Sequence, residues 1–391
     1  MLAYDPFALD VIRDPLPYYK RLRDEAPAYY LAKYDCWAIS RFQDIWDVSS
    51  DVEHFTATKG TSSAQVVTKD QPVTAMLNSM DPPAHSKLRA VVRQCFLPKH
   101  LREIEPKVRA LLGQLLAPQL ARGGCDIVGD VAARLSIKVA CMAIGLPIAD
   151  GEYLHRLVQR FFKHDPSESG ISADGWAAMT EMTDYSLARV KDERRAPSNT
   201  AQALPALCRA DVEGSPLSDE DVASHLTLLI VGGSETFPKT LANGLVRLAE
   251  YPEQRAQLVR DPSGIPDAYN EILRYDMPTQ YLCRTVTTEI VMHGQRLRPG
   301  QGVLMLYPSG NRDEREFANP DVFDIHRKPA RIASFGAGQH ACLGTHVARF
   351  EGRLCLEEIL KAAPNYSVDL ARAKRFNTEF VKGFEELPVR F

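Results

Sequence analysis

One ten-residue stretch, from Phe335 to Gly344, constrains this chain more than any other. It reads FGAGQHACLG, so Gly336 and Gly338 precede a single cysteine, Cys342. Glycine adopts backbone angles that are closed to other residues, and the stretch therefore predicts a tight loop. From Leu343 onward, apolar residues recur at helical spacing. Because a helix N-terminus stabilises an anionic sulfur, the pattern predicts a loop that holds a thiolate at or just before a helix.

The full spacing F-G-x-G-x-H-x-C-x-G is far more specific than a lone cysteine. It resembles the haem-binding loop of the cytochrome P-450 family, the haem-thiolate monooxygenases, in which the cysteine is the proximal iron ligand. The resemblance implies haem b as the cofactor and Cys342 as the metal ligand. It also implies that further residues of the loop contact the haem, namely Phe335, Gly336, His340 and Gly344.

Haem carries two propionates, which require cationic or hydrogen-bonding partners. His85 and Arg89 lie four residues apart in the stretch DPPAHSKLR, where two prolines mark the start of a helix, so both share one helix face. For this pair alone, a solvated basic face is the alternative. The resemblance implies that His85 and Arg89 bind the propionates together with Arg284 and His340. Arginine suits this role because its planar fork binds carboxylates bidentately.

An E-x-x-R pair, Glu271 and Arg274, places opposite charges on one face of a predicted helix. Taken alone, this short pattern is more typical of a surface ion pair. The resemblance implies a buried network that Arg327 completes, because buried charges require every partner to be present. We expect all three residues to be structural and not catalytic.

A long helix is predicted from Ser218 to about Glu250, opened by a capping box between Ser218 and Asp221. The pair Gly232-Gly233 lies inside it and weakens it by about 1 kcal/mol per glycine relative to alanine. Pro238 cannot donate a hydrogen bond to the carbonyl four residues earlier. A kinked packing helix is one interpretation of this pattern. Room for dioxygen, water and substrate is the other.

Glu235 and Thr236 follow the two glycines after one serine, Ser234, and favour the second interpretation. The resemblance implies that this acid and alcohol are catalytic and deliver protons during oxygen activation. The chain has Gly232 where alanine is common in the family, and Phe237-Pro238 after the threonine. We therefore expect a kink that is larger or shifted, so that Ser234 or a water is an alternative to Thr236 as the donor.

Length and composition fit one soluble haem domain, residues 1–391. A chain of 391 residues suggests two or three domains, but no Pro/Gly/Ser-rich linker or repeat divides it. A net charge of −3 argues against nucleic acid as a partner. We expect no signal peptide and no membrane span, and the eight cysteines show no C-x-x-C or zinc spacing. A cytoplasmic, reduced, monomeric protein is predicted.

Most of the periodic segments are helical, with strand-like pieces near residues 28–40, 282–291 and 302–305 and at the carboxyl end. The predicted fold class is therefore mainly α with a smaller β part. This matches the resemblance over essentially the whole chain. The resemblance further implies that the haem lies between the long central helix and the helix that follows the cysteine ligand.

The candidate substrate pocket is mainly apolar, which suggests an apolar ligand held by few polar contacts. Each apolar member is equally compatible with core packing. The lining residues that the resemblance implies are Met76, Leu77, Phe161, Phe162, Gly232, Gly233, Gln280, Tyr281 and Phe380.

The favoured function is a haem-thiolate monooxygenase that inserts one oxygen atom from O2 into an apolar small molecule. Its electrons are expected from a separate ferredoxin and ferredoxin reductase, since no flavin or iron–sulfur segment is visible in the chain. A peroxide-dependent peroxygenase is an alternative, although it has no need of Glu235 and Thr236. A non-catalytic haem sensor, the third hypothesis, has no evident use for this pair either.

Overall fold

A computed structural model describes residues 2–163, 171–212 and 214–391 of the chain. In this part of the chain the α-helices, labelled α1 to α16, are Leu9–Arg13, Leu16–Glu25, Phe42–Ser50, Ser63–Val66, Ala84–Cys95, Pro98–Ala121, Ala133–Ile144, Gly151–Phe162, Ala173–Arg195, Ala203–Cys208, Asp219–Gly232, Thr236–Glu250, Pro252–Arg260, Ile265–Tyr275, Tyr307–Gly310 and Thr345–Ala362. None of these helices is long and apolar enough to cross a membrane.

The strands are short by comparison. Labelled β1 to β14, they are Ala28–Leu31, Cys36–Ile39, Phe55–Thr56, Gly124–Asp126, Asp211–Val212, Ser215–Pro216, Tyr281–Val286, Ile290–Met292, Gln295–Leu297, Gly302–Leu306, Ser367–Val368, Lys374–Asn377, Lys382–Glu386 and Pro388–Arg390. The predicted fold class, mainly α with a smaller β part, is confirmed.

Contacts divide the chain into two compact units, each built from separate segments. The first unit comprises Met1–Thr74, Ala242–Cys342 and Tyr366–Leu387, and the second comprises Ala75–Leu241, Leu343–Asn365 and Pro388–Phe391. The prediction of a single haem domain stays a prediction.

The first unit is organised by a five-stranded sheet in the order β1-β2-β10-β7-β3. Its central strand, β10, runs parallel to β2 and antiparallel to β7, with Val303 opposite Arg284. Successive side chains of a strand point to opposite faces. Tyr281 and Cys283 of β7 therefore share one face, where both join a buried apolar cluster. Leu282 and Arg284 share the other face.

The second unit has a helical core. Buried apolar residues of α5, α7, α8, α9, α10 and α11 form one cluster, which includes Leu88, Ile137, Leu154, Met182 and Leu226. The side chain of Leu226, on α11, is fully buried in this cluster. Since α11 leads into the Gly232-Gly233 pair, this packing fixes where the glycines lie within the unit.

The predicted continuous helix from Ser218 to Glu250 is interrupted, and that prediction is wrong. Helix α11 ends at Gly232, and α12 begins at Thr236. The sequence explains the break, because Pro238 has no N–H for the carbonyl of Ser234 and glycine favours the helix least of the ordinary residues. The capping box at the start of α11 is present, and the Asp221 backbone N–H donates a hydrogen bond to the Ser218 hydroxyl at 3.0 Å.

Glu271 is the centre of a buried ion network in the first unit. Two hydrogen bonds of 2.7 Å join its carboxylate to the Arg274 guanidinium, and both side chains are fully buried. The Arg327 guanidinium adds a third contact at 3.2 Å. Arg274 also donates to the carbonyls of Asn311 and Pro320, at 2.8 and 2.9 Å. The network thus ties α14 to the loop that follows α15.

We predict that Arg274→Ala lowers the free energy of unfolding by about 3 to 5 kcal/mol, because it leaves a buried carboxylate without its bidentate partner. Urea unfolding followed by far-UV circular dichroism measures the change. The matched control is Arg296→Ala, which removes an exposed pair with Glu289 and should cost less than about 1 kcal/mol. Equal effects of the two variants would contradict the structural role of the network.

Candidate functional site

The cysteine loop is held by its own backbone. The Cys342 amide donates to the Phe335 carbonyl at 2.7 Å, and the Gly336 amide donates to the Ala333 carbonyl at 2.9 Å. Helix α16 begins three residues after the cysteine, with Gly344 at its N-cap. These bonds close a tight loop on Cys342 just ahead of the helix.

Gly338 permits the close approach of this loop to α3 in the first unit. Its φ is +65°, which side-chain-bearing residues rarely adopt. A Cβ atom there would lie 2.7 Å from the Ser50 Cα and 2.8 Å from the Ser49 carbonyl oxygen. Both neighbours are backbone atoms, so they cannot rotate away. The glycine is required for space as well as for its backbone angle.

Cys342 differs from the other cysteines in its exposure. It is exposed, whereas the other seven, all in the described part of the chain, are buried or half-buried. Burial raises the pKa of Cys36 to about 11 and that of Cys141 to about 12, so both thiols keep their protons. Among the described residues, Cys342 is therefore the cysteine whose sulfur is accessible to a ligand.

Arg284 is a buried cation on β7 of the first unit, 4% exposed. One of its guanidinium nitrogens donates to the Cys283 carbonyl at 2.8 Å. None of the acidic residues in the described part of the chain forms an ion pair with it. A buried charge requires a compensating charge. The chemistry of Arg284 therefore fits an anionic group such as a haem propionate, and the accessible sulfur of Cys342 fits the iron.

The remaining predicted propionate partners are split between the two units. His340 is half-buried in the cysteine loop of the first unit. His85 and Arg89 lie one turn apart on α5 of the second unit, where His85 is fully buried and Arg89 is half-buried. Histidine and arginine both donate hydrogen bonds to carboxylates, so the type of each residue fits a propionate.

Side-chain hydroxyls bind the carbonyls that the helix break leaves open in the second unit. The Ser234 hydroxyl donates to the Ile230 carbonyl at 2.7 Å. The Ser136 hydroxyl, on α7, donates to the Gly233 carbonyl at 2.8 Å. Nothing in the sequence around Ser136 predicts this contact.

The Thr236 hydroxyl, at the start of α12, differs in its hydrogen bonding from the neighbouring hydroxyls of Ser234 and Thr240. Its carbonyl accepts a hydrogen bond from the Thr240 hydroxyl at 3.0 Å. Its own hydroxyl makes no hydrogen bond to any residue that the structure describes, and the side chain is half-buried. Thr236 is therefore the alcohol of this segment that remains available to a bound molecule.

Glu235 forms an ion pair that the sequence interpretation missed. The Lys239 ammonium donates a hydrogen bond to its carboxylate from one turn further along α12. The signal was present in the sequence, since a glutamate four residues before a lysine is a favourable helical pair.

Three predicted pocket residues of the first unit lie close together. The backbone N–H of Gln280 donates to the Phe380 carbonyl at 2.8 Å, and the ring centroids of Tyr281 and Phe380 are 6.5 Å apart. The side chain of Gln280 donates to the Pro278 carbonyl at 2.9 Å. Tyr281 packs in the apolar cluster of this unit with Tyr4 and Tyr19. Core packing thus describes Gln280 and Tyr281 better than a pocket wall.

The other predicted pocket residues belong to the second unit. Leu77 is part of its apolar cluster, and Phe161 and Phe162 pack against that cluster. The centroids of these two rings are 4.9 Å apart. Met76 is also buried, whereas Gly232 and Gly233 are exposed at the helix break. The two glycines therefore leave their part of the chain open on at least one side.

An accessible cysteine on a glycine loop, a buried arginine without a carboxylate and a broken helix with an acid and an alcohol are together typical of a haem-thiolate enzyme. The family model described as cytochrome P450 matches residues 266–383. Putative cytochrome P450 123 of Mycobacterium tuberculosis is 34% identical over 391 residues, which cover 99% of this chain and 96% of the relative. The chain belongs to the cytochrome P450 family.

Two further comparisons agree with this assignment. The steroid C26-monooxygenase of Mycobacterium tuberculosis is 33% identical over 361 residues, 90% of this chain and 94% of the relative. The crystal structure of CalO2 superimposes with a TM-score of 0.87 at 30% identity and covers 100% of this chain and 99% of CalO2. The protein is thus a P450 monooxygenase, an oxidoreductase that uses haem, O2, an organic substrate and redox partners.

We predict that Gly338→Ala destabilises the cysteine loop by about 1 to 3 kcal/mol, because alanine is strained at this positive φ and its Cβ meets backbone atoms of α3. Thermal unfolding of the purified protein and the ratio of haem to protein after expression measure the effect. Gly294→Ala is the control, since Gly294 also has a positive φ, +75°, but has nothing within 4 Å of a Cβ. Only the loop variant should lose haem.

Proposed function

We propose that this enzyme inserts one oxygen atom from O2 into an apolar small molecule, by hydroxylation or epoxidation. The observation that supports this most directly is the availability of the Thr236 hydroxyl beside Glu235, in a segment where the hydroxyls of Ser234 and Thr240 are bound to backbone carbonyls. A peroxygenase or a haem sensor needs no such alcohol. We further propose that the enzyme acts as a monomer.

Haem b is the proposed form of the cofactor, with Cys342 as the iron ligand. Bound through a cysteine sulfur, haem supplies the iron at which O2 is activated. Phe335, Gly336 and Gly344 shape the loop that presents the sulfur. Arg284 and His340 of the first unit, with His85 and Arg89 of the second, are the proposed partners of the propionates.

The chain's own contribution to the reaction is the supply of protons. The Thr236 hydroxyl is proposed to hold O2 or a water in place by hydrogen bonding. Glu235 is proposed to pass protons from solvent toward that hydroxyl. The role suits a carboxylate on a helix break, because the local opening gives solvent a route that an unbroken helix denies.

The proposed substrate is apolar, and its proposed contacts are Met76, Leu77, Phe161, Phe162 and Phe380, with Gly232 and Gly233 giving space at the helix break. Gln280 and Tyr281 are less suitable, because the side chain of Gln280 binds backbone and Tyr281 packs in the core. Leu282 replaces Tyr281 in this proposal, since it shares a strand face with Arg284. A relative is named a steroid C26-monooxygenase, so steroids are the first compounds to screen.

A ferredoxin with its reductase is the proposed electron source, docking on a basic surface of the second unit. Burial, together with Arg349 and Arg93, lowers the pKa of His346, which shows that these three residues lie near one another. Arg353, on the same helix as Arg349, binds Glu105 at 2.7 Å. Acidic ferredoxins complement a surface that carries basic residues, and salt should weaken their association.

The reaction class is tested with Cys342→His and a reduced carbon monoxide difference spectrum. The wild type should give the red-shifted band of a sulfur-ligated haem, and the variant should lose it because nitrogen replaces the sulfur donor. A band retained by the variant would exclude Cys342 as the ligand. Turnover with a ferredoxin system, compared with turnover on hydrogen peroxide, then separates monooxygenase from peroxygenase, and no turnover in either leaves the sensor.

For the alcohol, we predict that Thr236→Ala keeps haem and substrate binding but uncouples the cycle. Consumed NADPH or NADH then yields peroxide in place of oxygenated product, because the hydroxyl that directs protons is gone. Ser234→Ala should remain coupled, since the Ser234 hydroxyl already donates to the Ile230 carbonyl. Product formed per nicotinamide oxidised is the measurement. The reverse pattern would assign the proton relay to Ser234.

A further inference from the structure

The two faces of helix α11 differ in burial. One face is fully buried and carries Ala223, Thr227 and Ile230. Residues four and seven positions apart share a helix face, so His225, Leu229 and Gly232 lie together on the other one. We call this the open face, because exposure rises along it toward the helix break. His225 is 5% exposed, Leu229 is half-buried and Gly232 is exposed.

Space for a ligand lies beside the open face at the helix break. A Cβ atom at Gly232 would have no neighbouring atom of the described chain within 4 Å. Leu229 packs against the apolar cluster of the second unit, as do the proposed substrate contacts Phe161 and Phe162. A helix rises 1.5 Å per residue, so His225 lies about 10 Å along the helix from Gly232. The open face therefore has the length of an elongated small molecule.

His225 is the polar residue at the buried end of this face. Its ring nitrogen Nδ1 is buried and has no hydrogen-bond partner among the described residues. Thr227, on the fully buried face, is different. Its hydroxyl donates to the Ala223 carbonyl at 2.9 Å and lies 3.1 Å from the Ser186 hydroxyl. Helix α11 thus satisfies the polar group of its buried face and leaves that of its open face without a protein partner.

The chemistry of the ring indicates what kind of partner it requires. A buried polar group without a hydrogen bond destabilises a protein, because it has lost water and gained nothing in return. Burial lowers the pKa of His225, and the Asp221 carboxylate opposes this in part. The imidazole is therefore neutral at pH 7, with one N–H donor and one acceptor nitrogen. A hydroxyl or a ketone matches these groups, whereas a carboxylate would bring an uncompensated charge.

We propose that His225 determines substrate specificity by binding one oxygen of the substrate. The substrate is then an elongated apolar molecule with a hydroxyl or ketone at one end, and its other end lies at the helix break. The imidazole accepts a hydrogen bond from a hydroxyl or donates one to a ketone. His225 thereby sets which end of the molecule is presented for oxygenation. This inference rests on the proposed apolar substrate of the enzyme.

A histidine with a purely structural hydrogen bond is the rival explanation, and thermal unfolding of the substrate-free holoenzyme separates the two. If the ring has no protein partner, His225→Leu removes an unsatisfied group and should raise the unfolding midpoint by about 1 to 3 °C. Thr227→Val is the matched control, since it removes a satisfied buried hydroxyl from the same helix. It should lower the midpoint by a similar amount. A midpoint lowered by His225→Leu would overturn the proposal.

Binding of matched probes then tests the specificity. The first set is 5α-androstane with its 3-hydroxyl and 3-keto derivatives, and the second is dodecane, 1-dodecanol and dodecanoate. Titration of the substrate-induced spin shift at pH 7.5 gives each dissociation constant. In the wild type, the alcohol or ketone of at least one set should bind about tenfold more tightly than its hydrocarbon, as expected for one hydrogen bond. Dodecanoate should gain nothing over dodecane.

The variants show whether His225 causes the preference. His225→Leu should bind the hydrocarbon as well as the wild type does and lose the tenfold advantage of the oxygenated probe. His225→Asn, whose amide replaces the ring nitrogen nearest the backbone, should keep part of the advantage, and Thr227→Val should keep all of it. Should His225→Leu fail to bind haem, His225→Met provides the same comparison.

The outcomes separate this inference from the proposed function. Equal binding of all members of both sets by the wild type would overturn the role of His225 alone, as would a preference that His225→Leu retains. If no probe of either set shifts the spin state, the proposed apolar substrate class fails, and this inference fails with it. A preference that His225→Leu abolishes, together with a raised unfolding midpoint, supports the proposal.

Discussion

The arrangement at the proposed catalytic segment depends on one constraint, which is that a helix cannot leave its buried carbonyls without donors. Pro238 removes the N–H that the Ser234 carbonyl requires, and the helix opens between Gly232 and Thr236. Two serine hydroxyls then bind carbonyls near the break, one from Ser234 itself and one from Ser136 of another helix. The break is therefore a stable feature that packing and hydrogen bonds maintain, and not a frayed turn.

Charge compensation explains the buried cations of the first unit. Several buried arginines of the first unit have their anions within the protein. Arg274 binds Glu271, Arg23 binds Glu314 at 3.2 Å, and Arg312 binds Asp321 at 2.7 Å. Arg284 is as deeply buried but forms no ion pair among the described residues. Since an uncompensated buried charge is costly, the natural anion for Arg284 is a ligand. A cofactor with two carboxylates meets this requirement.

Sequence motifs predicted the residues with specific chemistry better than their surroundings. The cysteine loop and the Glu271–Arg274–Arg327 set could be read from spacing, because each needs fixed residue types at fixed separations. The extent of the helix break could not, since one of the hydroxyls that bind its carbonyls belongs to Ser136, more than ninety positions earlier in the chain. The sequence alone does not show to which face of a strand an aromatic residue such as Tyr281 points. In the structure Tyr281 lies on the face of β7 that joins the buried apolar cluster.

A hydroxyl that already donates to a backbone carbonyl is not available to a bound molecule. The three hydroxyls of Ser234, Thr236 and Thr240 show how the backbone decides this. Each of the three residues could donate a proton, and their order in the sequence does not rank them. In the structure Ser234 donates to Ile230 and Thr240 donates to Thr236, each four residues back along the chain. The residue four before Thr236 is Gly232, the last residue of α11, after which the helical ladder stops. The break therefore removes the back-bonding partner from one alcohol only, and that alcohol is next to the acid that Lys239 holds.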